Sequence, residues 1–403
     1  MEKNFEKLGV KACYIKQLES RNIREAVDIQ SKIIPVLASG ESVFFTSETG
    51  TGKTFAYLLP ALGKIHEKTE NNAAIKTGVK ILIISPTLEL CTQIKGELDF
   101  LIKDTGLRGE LATGSISLDH QTEKLKKNRP DIIVGTPNRI LLLLRMRKIR
   151  LNLLYLIMDE ADRLVSEELS DDTKELCRIA GNGGNPVFAA CSATLNKKYR
   201  EKLLSFCGLK EIRFVKSCDH EILREKIEHW AIFSEKRRKD QALRSLLAAL
   251  KTKKGKKIKA LVFTSRGDEA GLILSRLAYH RVPCAGLIGK INKKPLSVQE
   301  RKAALDSFRR GGIEALVSTD LAARGLDIAG ITHVIALDVP SDSEAYIHRC
   351  GRTGRAGKRG IMITIGDETQ MRLLSLLEKK LKIKVQPKEL HYGKVIAPLP
   401  IEE

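Results

Sequence analysis

The sequence predicts two tandem α/β domains, each a doubly wound parallel sheet with helices on both faces. A chain of 403 residues is longer than one hydrophobic core usually serves, and it suits two domains of ordinary size. Short, continuously apolar runs alternate with segments of helical length, a pattern typical of parallel strands that are buried on both faces. Between residues 216 and 226 the alternation lapses into polar and charged residues and then resumes. This lapse predicts a flexible linker between two domains of the same class.

The apolar runs predict five strands in the first domain and four in the second. The first five are Val43 to Thr46, Lys80 to Ser85, Asp131 to Gly135, Leu153 to Met158 and Val187 to Cys191. The other four are Lys259 to Phe263, Ile313 to Ser318, His333 to Leu337 and Gly360 to Ile365, with a helix over Ser297 to Arg310. We therefore expect a first domain over 1–218, a linker over 219–227, a second domain over 228–385 and a short tail without regular structure over 386–403.

Composition and charge indicate a globular protein that binds a polyanion. Hydrophobic residues make up 42% and charged residues 30% of the chain, which excludes disordered and fibrous proteins. The formal net charge of +21 attracts nucleic acid first and an anionic membrane surface second. The membrane is disfavoured because the basic residues are spread along the chain and not gathered on one amphipathic helix.

The sequence also predicts that the protein stays in the cytoplasm. Its N-terminus lacks the apolar segment of a signal peptide, and its longest apolar run, Ile140 to Leu144, is too short to cross a bilayer. Eight cysteines are scattered without a Cys-x-x-Cys pair, so neither a zinc site nor a redox dithiol is expected.

A glycine-rich loop follows the first predicted strand and opens a helix. Its residues are Ser47, Glu48, Thr49, Gly50, Thr51, Gly52, Lys53 and Thr54. Glycines let backbone N–H groups converge on phosphate oxygens at the positive end of a helix, while the lysine adds a cation and the threonine hydroxyl can bind Mg²⁺. A glycine-rich turn that ends in Lys-Thr by chance is the alternative, and the order of strand, loop and helix disfavours it.

Two carboxylates, Asp159 and Glu160, follow the predicted strand Leu153 to Met158. They emerge at the carboxyl end of a buried strand, where open α/β sheets bind their ligands. We expect Asp159 to hold Mg²⁺, partly through water, and Glu160 to orient or deprotonate the attacking water.

The second domain has no such loop after its first predicted strand, but it carries a cluster of arginines. The segment His348 to Arg355 spaces its arginines with small residues. Arg352 and Arg355 could stabilise charge on a transferring γ-phosphoryl group if the two domains close on one ATP. An exposed basic turn is the alternative.

The motif Asp159-Glu160-Ala161-Asp162, together with Ser192-Ala193-Thr194 and the glycine-rich loop, resembles the DEAD-box RNA helicases of superfamily 2. The resemblance covers nearly the whole chain. It implies two RecA-like domains, ATP and Mg²⁺ as cofactors, and RNA held by its backbone with low sequence specificity. It also implies a monomer that unwinds short duplexes locally as its two domains close and reopen.

The resemblance assigns roles residue by residue. It implies that Phe5 and Gln30 recognise adenine, and an amide can indeed pair with the N6/N7 edge of that base. The implied first-domain RNA contacts are Pro86, Thr87, Glu89, Leu90, Gly114, Thr136, Pro137, Asn138 and Arg139. The matching second-domain residues are Phe263, Thr264, Arg301, Ser318, Thr319, Asp320 and the run Ala323 to Asp327, with Gly325 and Asp327 at the nucleotide. The residues implied to couple ATP to RNA are Asp162, Ser192, Ala193, Thr194 and His348.

The chain departs from the family pattern at a few positions. Ala26 and Val27 stand where a proline and a hydroxyl residue are usual, Leu88 replaces an arginine, Thr113 replaces a glycine and Val298 replaces a glutamine. We expect looser adenine selectivity and weaker RNA contacts, partly offset by the basic charge. Two alternatives stay open: a DNA translocase with the same ATP chemistry, and an RNA-binding scaffold that has lost turnover.

Overall fold

A computed structural model describes the chain over residues 2–47, 51–70, 77–192, 196–216, 223, 225–251, 258–288, 290–291, 294–323, 328, 330–340, 342–354 and 359–398. The chain divides into two compact units, Met1–Cys218 and Asp219–Glu403. In the described part of the chain, no helix has both the length and the apolar character that a membrane span requires.

The first unit is a seven-stranded, fully parallel sheet. Its strands are β1 (Val43–Thr46), β2 (Val79–Ile84), β3 (Gly109–Ala112), β4 (Ile132–Gly135), β5 (Leu151–Asp159), β6 (Val187–Ser192) and β7 (Arg213–Lys216). They are ordered β3-β4-β2-β5-β6-β1-β7. The helices are α1 (Ala12–Ser20), α2 (Asp28–Ala38), α3 (Lys53–Glu70), α4 (Leu88–Ile102), α5 (Leu118–Asn128), α6 (Pro137–Arg145), α7 (Ala161–Leu164), α8 (Ser170–Asn182) and α9 (Lys197–Cys207).

Hydrophobic cores cover both faces of this sheet, which explains its continuously apolar strands. On β2, Ile81 and Ile83 pack into one core with α1 to α4. Their neighbours Leu82 and Ile84 pack into a second core with α6 and α8. Successive side chains point to opposite faces of a strand, so a strand with a core on each side must be apolar throughout.

The predicted doubly wound class is confirmed, and the five predicted strands form within two residues of their expected bounds. The two edge strands, β3 and β7, were not predicted. They are four residues long and carry charged residues: Arg213 on β7 is exposed, and Glu110 on β3 is buried but paired with Lys124. Edge strands tolerate such residues better than central strands do.

The second unit has an eight-stranded sheet. Its strands are β8 (Ile227–Phe233), β9 (Ala260–Thr264), β10 (Cys284–Leu287), β13 (Ala315–Thr319), β14 (His333–Ala336), β15 (Gly360–Gly366), β16 (Val385–His391) and β17 (Lys394–Ile396), and β11 (Lys290–Ile291) and β12 (Lys294–Pro295) form a separate antiparallel pair. The order is β10-β13-β9-β14-β15-β8-β16-β17, and only the β16–β17 pairing is antiparallel. The helices are α10 (Lys239–Lys251), α11 (Gly267–Tyr279), α12 (Val298–Arg310), α13 (Asp320–Ala323), α14 (Ser343–Cys350) and α15 (Glu368–Leu381).

The expectation of an unstructured tail after residue 385 is wrong. Strand β16 pairs in parallel with β8 and then turns back into β17. Leu390 and Val395 pack against the core beneath, whereas the remaining residues are largely polar. The sequence concealed this hairpin because its second face is buried only at the start, where Val385 packs against the other core of the unit. Pro387 also argued against a strand, although proline is tolerated near a sheet edge.

The predicted linker is only partly described. Residues 217–222 and 224 lie outside the described residues, and Leu223 is already buried in the core of the second unit. The backbone oxygen of Leu223 lies 2.9 Å from Nε2 of His229 on β8. The end of the predicted linker is therefore part of the second unit.

Candidate functional site

The carboxyl ends of three neighbouring strands gather the predicted nucleotide residues in the first unit. Thr46 at the end of β1 lies beside Ser192 on β6. Cys191 on β6 lies beside Asp159 at the end of β5. The glycine-rich loop, the Asp159–Glu160 pair and Ser192 therefore share one edge of the sheet, the edge at which such sheets bind ligands.

The glycine-rich loop is tied to the sheet at its start. The backbone N–H of Ser47 donates to the backbone oxygen of Ser192 at 3.0 Å. The ammonium of Lys53 donates to the backbone oxygen of Ser47 at 3.0 Å. Helix α3 begins at Lys53, so the N–H groups of its first turn, which have no partner within the helix, are available to an anion. Glu48, Thr49 and Gly50 lie outside the described residues.

Gln30 joins helix α2 to the loop. Its side-chain oxygen accepts from the N–H of Val27 at 3.0 Å, and its amide nitrogen donates to the backbone oxygen of Gly52 at 3.1 Å. Gly52 has φ +84, and a Cβ added there would lie 2.5 Å from Nε2 of Gln30. A glycine is required here for both reasons. Phe5, the other residue expected at adenine, is 2% exposed and packs in the core of this unit.

Asp159 is held by three donors, two of which the sequence did not indicate. The Tyr57 hydroxyl donates to Oδ2 at 3.0 Å, and the Cys191 thiol to Oδ1 at 3.1 Å. The N–H of Glu160 also donates to Oδ1, at 2.9 Å. Burial, and then the charge of Asp159, raise the pKa of the Tyr57 hydroxyl and of the Cys191 thiol well above their ordinary values, so both groups remain protonated donors. The one available signal for Tyr57 was its place one helical turn after Lys53.

Glu160 combines backbone strain with a buried, unpaired oxygen. It has φ +50, in the left-handed region that side chains other than glycine rarely adopt. It is 8% exposed, and among the described residues its Oε2 has no hydrogen-bond partner. Leaving a buried acceptor unpaired is costly, and strained residues of this kind cluster at active sites. The free oxygen is suited to accept a hydrogen bond from a water molecule.

The oxygen groups of Thr54 and Asp159 fit a Mg²⁺ ion. Both are hard oxygen donors, and Mg²⁺ is usually bound by one or two such protein groups together with waters and substrate phosphates. Burial and the charge of Asp159 raise the pKa of the Tyr57 hydroxyl, and the nearby Thr54 side chain opposes that rise. Tyr57 therefore lies close to both side chains that are expected to hold the ion, and it donates to one of them, Asp159.

The predicted RNA residues of the first unit lie at the carboxyl ends of its other strands. In the sheet, β4 lies between β3 and β2, with Gly135 beside both Ala112 and Ile84. Pro86 and Thr87 follow β2, Gly114 follows β3, and Thr136 and Pro137 follow β4. These segments are therefore neighbours along the same sheet edge as the nucleotide residues.

Internal hydrogen bonds fix several of these residues. The Thr87 hydroxyl caps α4 by accepting from the N–H of Leu90 at 3.3 Å. The Arg139 guanidinium donates to Oε1 of Gln121 at 2.7 Å and also to the backbone oxygen of Ile116. Arg139 thus positions the chain after β3, which is compatible with an indirect role in RNA binding.

The residues that depart from the family pattern differ in how deeply they are buried. Thr113 is fully buried and its hydroxyl lies 3.0 Å from that of Ser115. Val27 is 46% exposed, and Leu88 is half-buried at the start of α4. The side chain of Val298 lies outside the described part of the structure.

In the second unit, several predicted residues serve the fold as well. Phe263 and Thr264 are buried at the end of β9. Thr319 ends the neighbouring strand β13, and the Arg301 guanidinium donates to the backbone oxygen of Ala322 at 3.3 Å. Ala193, Thr194, Gly325, Asp327 and Arg355 lie outside the described residues.

His348 on helix α14 and Arg352, which follows the helix, are both buried. Arg352 is 4% exposed, and its Nε donates to the backbone oxygen of His348 at 3.2 Å. Between them, Arg349 was not singled out in the sequence. Its guanidinium donates to both carboxylate oxygens of Asp320 at 2.7 Å each, and to the backbone oxygen and Oδ2 of Asp338 at 2.8 and 3.0 Å. Burial opposes its charge, but the two carboxylates hold the pKa of Arg349 above its ordinary value.

Two protein-family models match the chain. The model of the DEAD/DEAH box helicase matches residues 27–202, and the model of the helicase conserved C-terminal domain matches residues 238–357. The two matched stretches fall in the first and the second unit respectively.

Curated relatives cover most of the chain. The DEAD-box ATP-dependent RNA helicase CshC of Bacillus cereus is 32% identical over 383 residues, which is 95% of this chain and 92% of that protein. The ATP-dependent RNA helicase CshA of Listeria monocytogenes is 34% identical over 388 residues, 95% of this chain and 70% of that protein.

Solved structures share the fold. Dbp5 of S. cerevisiae bound to RNA and ADP BeF3 superimposes with a TM-score of 0.81 at 23% identity, covering 96% of both chains. Mss116p bound to single-stranded RNA and AMP-PNP gives a TM-score of 0.84 at 24% identity, covering 95% of this chain and 78% of that one.

Proposed function

The chain belongs to the family of DEAD-box ATP-dependent RNA helicases, and from this premise we propose which of its residues drive its RNA-stimulated ATP hydrolysis. The observation that carries the proposal is the pair at the end of β5. Asp159 is fixed by three donors, whereas the adjacent Glu160 keeps a buried oxygen without a partner among the described residues. One carboxylate is thus held in place and the other is available for chemistry.

We propose that the glycine-rich loop and Lys53 bind the ATP phosphates at the start of α3. Gln30 would read the adenine edge, with Phe5 beside it. Thr54 and Asp159 would hold Mg²⁺, which when bound neutralises phosphate charge. Glu160 would accept a proton from the attacking water through its unpaired Oε2.

The RNA segments at the ends of β2, β3 and β4 would grip the phosphate backbone of a single strand. Gripping the backbone accounts for low sequence specificity. In the second unit, Arg301 and Thr319 would add RNA contacts, and Arg352 and Arg355 would stabilise the γ-phosphoryl group during transfer. Arginines in this role typically speed hydrolysis by about a thousandfold or more. Loss of the γ-phosphate would then release the RNA.

We further propose that the protein works as a monomer in the cytoplasm, with Asp162, Ser192, Ala193, Thr194 and His348 coupling ATP to RNA. This part of the proposal rests on the sequence alone.

Replacing Glu160 with Gln tests the assignment of the base. Glu160→Gln keeps the shape of the side chain but removes the proton acceptor, so RNA-stimulated hydrolysis should fall by about a hundredfold or more. ATP binding, measured with a fluorescent analogue, should persist. The matched control is Glu167→Gln, an exposed carboxylate in the following segment, which should leave turnover unchanged. Parental turnover in Glu160→Gln would show that the base lies elsewhere.

A further inference from the structure

The hairpin of β16 and β17 ends in a turn that its own sequence disfavours. His391 pairs with Lys394, so only Tyr392 and Gly393 form the loop. Both have positive φ, +42 and +72, the arrangement of a type I′ turn. Asparagine, aspartate or glycine is preferred at its first central position, because a bulky side chain is strained there. Tyr392 is therefore a poor choice for forming the turn.

Tyr392 contributes nothing to the core that could offset this strain. It is 92% exposed. The residues that anchor the hairpin are Leu390 and Val395, which pack on the core beneath. The Tyr392 ring meets the ring of the exposed His391 edge-on, with the ring centroids 4.4 Å apart and the ring planes at 78°. An aromatic side chain at a strained and solvent-exposed position indicates a role outside folding.

The surroundings of the hairpin are strongly basic. From residue 379 to residue 394 the chain carries six lysines and a single carboxylate, Glu389. Lys394 is exposed directly opposite His391 in the hairpin. Lys388 lies with its ammonium 5.5 Å from the centre of the Trp230 ring on β8. A cationic surface that also presents an accessible aromatic ring is the combination that single-stranded nucleic acids bind, through phosphate contacts and base stacking.

We propose that the hairpin tip, residues 391 to 394, is an accessory binding site for single-stranded RNA outside the helicase segments. Tyr392 stacks on one base, and Lys394 and Lys388 contact neighbouring phosphates. The proposal rests on RNA being the substrate, as given under Proposed function. It adds a contact of a different kind, because the strand-end segments of the first unit hold backbone, whereas this tip holds the face of a base. Stacking accepts any base, so sequence specificity stays low.

The test is equilibrium binding of a labelled single-stranded RNA to the full-length chain and its Tyr392→Asn variant. Asparagine suits the turn, so the variant should melt at the same temperature as the parent or higher. Its affinity for RNA should nevertheless fall by about fivefold or more, the loss expected for one base stacked on an aromatic ring. Tyr392→Phe, which keeps the ring, should bind as the parent does.

A strand of the same length with abasic sugars separates stacking from charge. The parent and Tyr392→Asn should bind it equally, because no base remains to stack. Equal affinity of both proteins for the normal RNA would overturn the proposal and leave a protein partner as the candidate occupant. A difference that persists on the abasic strand would also overturn it, because Tyr392 would then contact the RNA backbone and not a base. RNA-stimulated ATP hydrolysis at saturating RNA, measured in parallel, should be the same in both proteins. Its absence in the parent would count against the proposed function, separately from the hairpin.

Discussion

At the residue scale, Tyr57 joins helix α3 to the carboxylate of Asp159, a contact that the sequence could not predict. It is fully buried on α3 and donates to Asp159. Its pKa is raised by burial and by Asp159, and the nearby Thr54 side chain opposes that rise. Its role in the proposed mechanism is to position the oxygen groups that would hold Mg²⁺, without touching the nucleotide itself.

Replacing Tyr57 with Phe should therefore weaken the use of Mg²⁺ more than it weakens the fold. Loss of one buried hydrogen bond should cost about 1 kcal/mol in the free energy of unfolding. The Mg²⁺ concentration that gives half-maximal ATP hydrolysis should rise several-fold, because Asp159 loses one of its fixed donors. A titration of ATP hydrolysis with MgCl₂ measures this concentration.

Tyr155→Phe is the matched control for that titration. Tyr155 is also fully buried, and its hydroxyl donates at 2.7 Å to the backbone oxygen of Leu37, away from the carboxylates. It should show a similar loss of stability and an unchanged Mg²⁺ requirement. The positioning role of Tyr57 is wrong if the two variants shift the Mg²⁺ requirement equally.

Gln30 offers a second test at this scale. Gln30→Ala removes both the amide proposed to read adenine and the hydrogen bond to Gly52. ATP affinity should fall, and the preference for ATP over GTP should narrow. Competition binding with the two nucleotides measures both effects. Gln121→Ala, which removes a buried amide bonded to Arg139 and Leu111, should leave the preference intact, and an unchanged preference in Gln30→Ala would refute its role.

The motif residues of the nucleotide site were predictable from the sequence, but the side chains that hydrogen-bond to them were not. Lys53, Asp159 and Glu160 follow from the order of strand, loop and helix. Cys191 and Tyr57 support Asp159 only because β6 lies beside β5 and α3 packs on the sheet, and a single sequence does not state which side chains such packing brings together.

At the scale of elements, the carboxyl ends of the parallel strands organise the site. In the first unit, β1, β6 and β5 carry the nucleotide residues, and β2, β4 and β3 carry the proposed RNA residues. In the second unit, Arg349 fastens α14 to the residues that follow β13 and β14 through Asp320 and Asp338. This contact fixes the helix that bears His348 and that Arg352 follows.

Removing the Arg349 guanidinium should destabilise the second unit substantially. Arg349→Met leaves Asp320 and Asp338 without their buried partner, and such a loss typically costs about 3 to 5 kcal/mol. Urea denaturation of the full chain, followed by the fluorescence of Trp230 on β8, would report it. The control is Arg372→Met, which breaks a solvent-exposed pair with Glu368 on α15 and should change stability by about 0.5 kcal/mol or less. Similar midpoints for the two variants would show that the buried network does not fasten α14.

In the first unit, the central strands were predictable from sequence and the edge strands were not. In the second unit, the inner strand β8 was also missed, because Glu228 and His229 interrupt its apolar residues. The strands β1, β2, β4, β5 and β6 are largely apolar because both faces of the sheet are covered. The edge strands β3 and β7 and the hairpin of β16 and β17 carry charged residues among their apolar ones, so their pattern resembles that of a loop. The alternation of Leu390 with exposed neighbours was the signal available for β16, and Pro387 obscured it.

At the scale of the whole molecule, the two units share one fold class but carry different functional residues. The first unit holds the phosphate loop and both carboxylates. The second has Thr264, Ser265 and Arg266 where such a loop would follow β9. The net charge of +21 favours a nucleic acid in general, and the family assignment makes that nucleic acid RNA.

The most direct test of the account is the rate of steady-state ATP hydrolysis by the full chain with no nucleic acid, with single-stranded RNA and with DNA of the same sequence. The account predicts slow hydrolysis alone, strong stimulation by RNA and little by DNA. Equal stimulation by DNA would indicate a DNA translocase. A rate that RNA does not change would contradict the central claim that RNA binding drives ATP turnover in this protein.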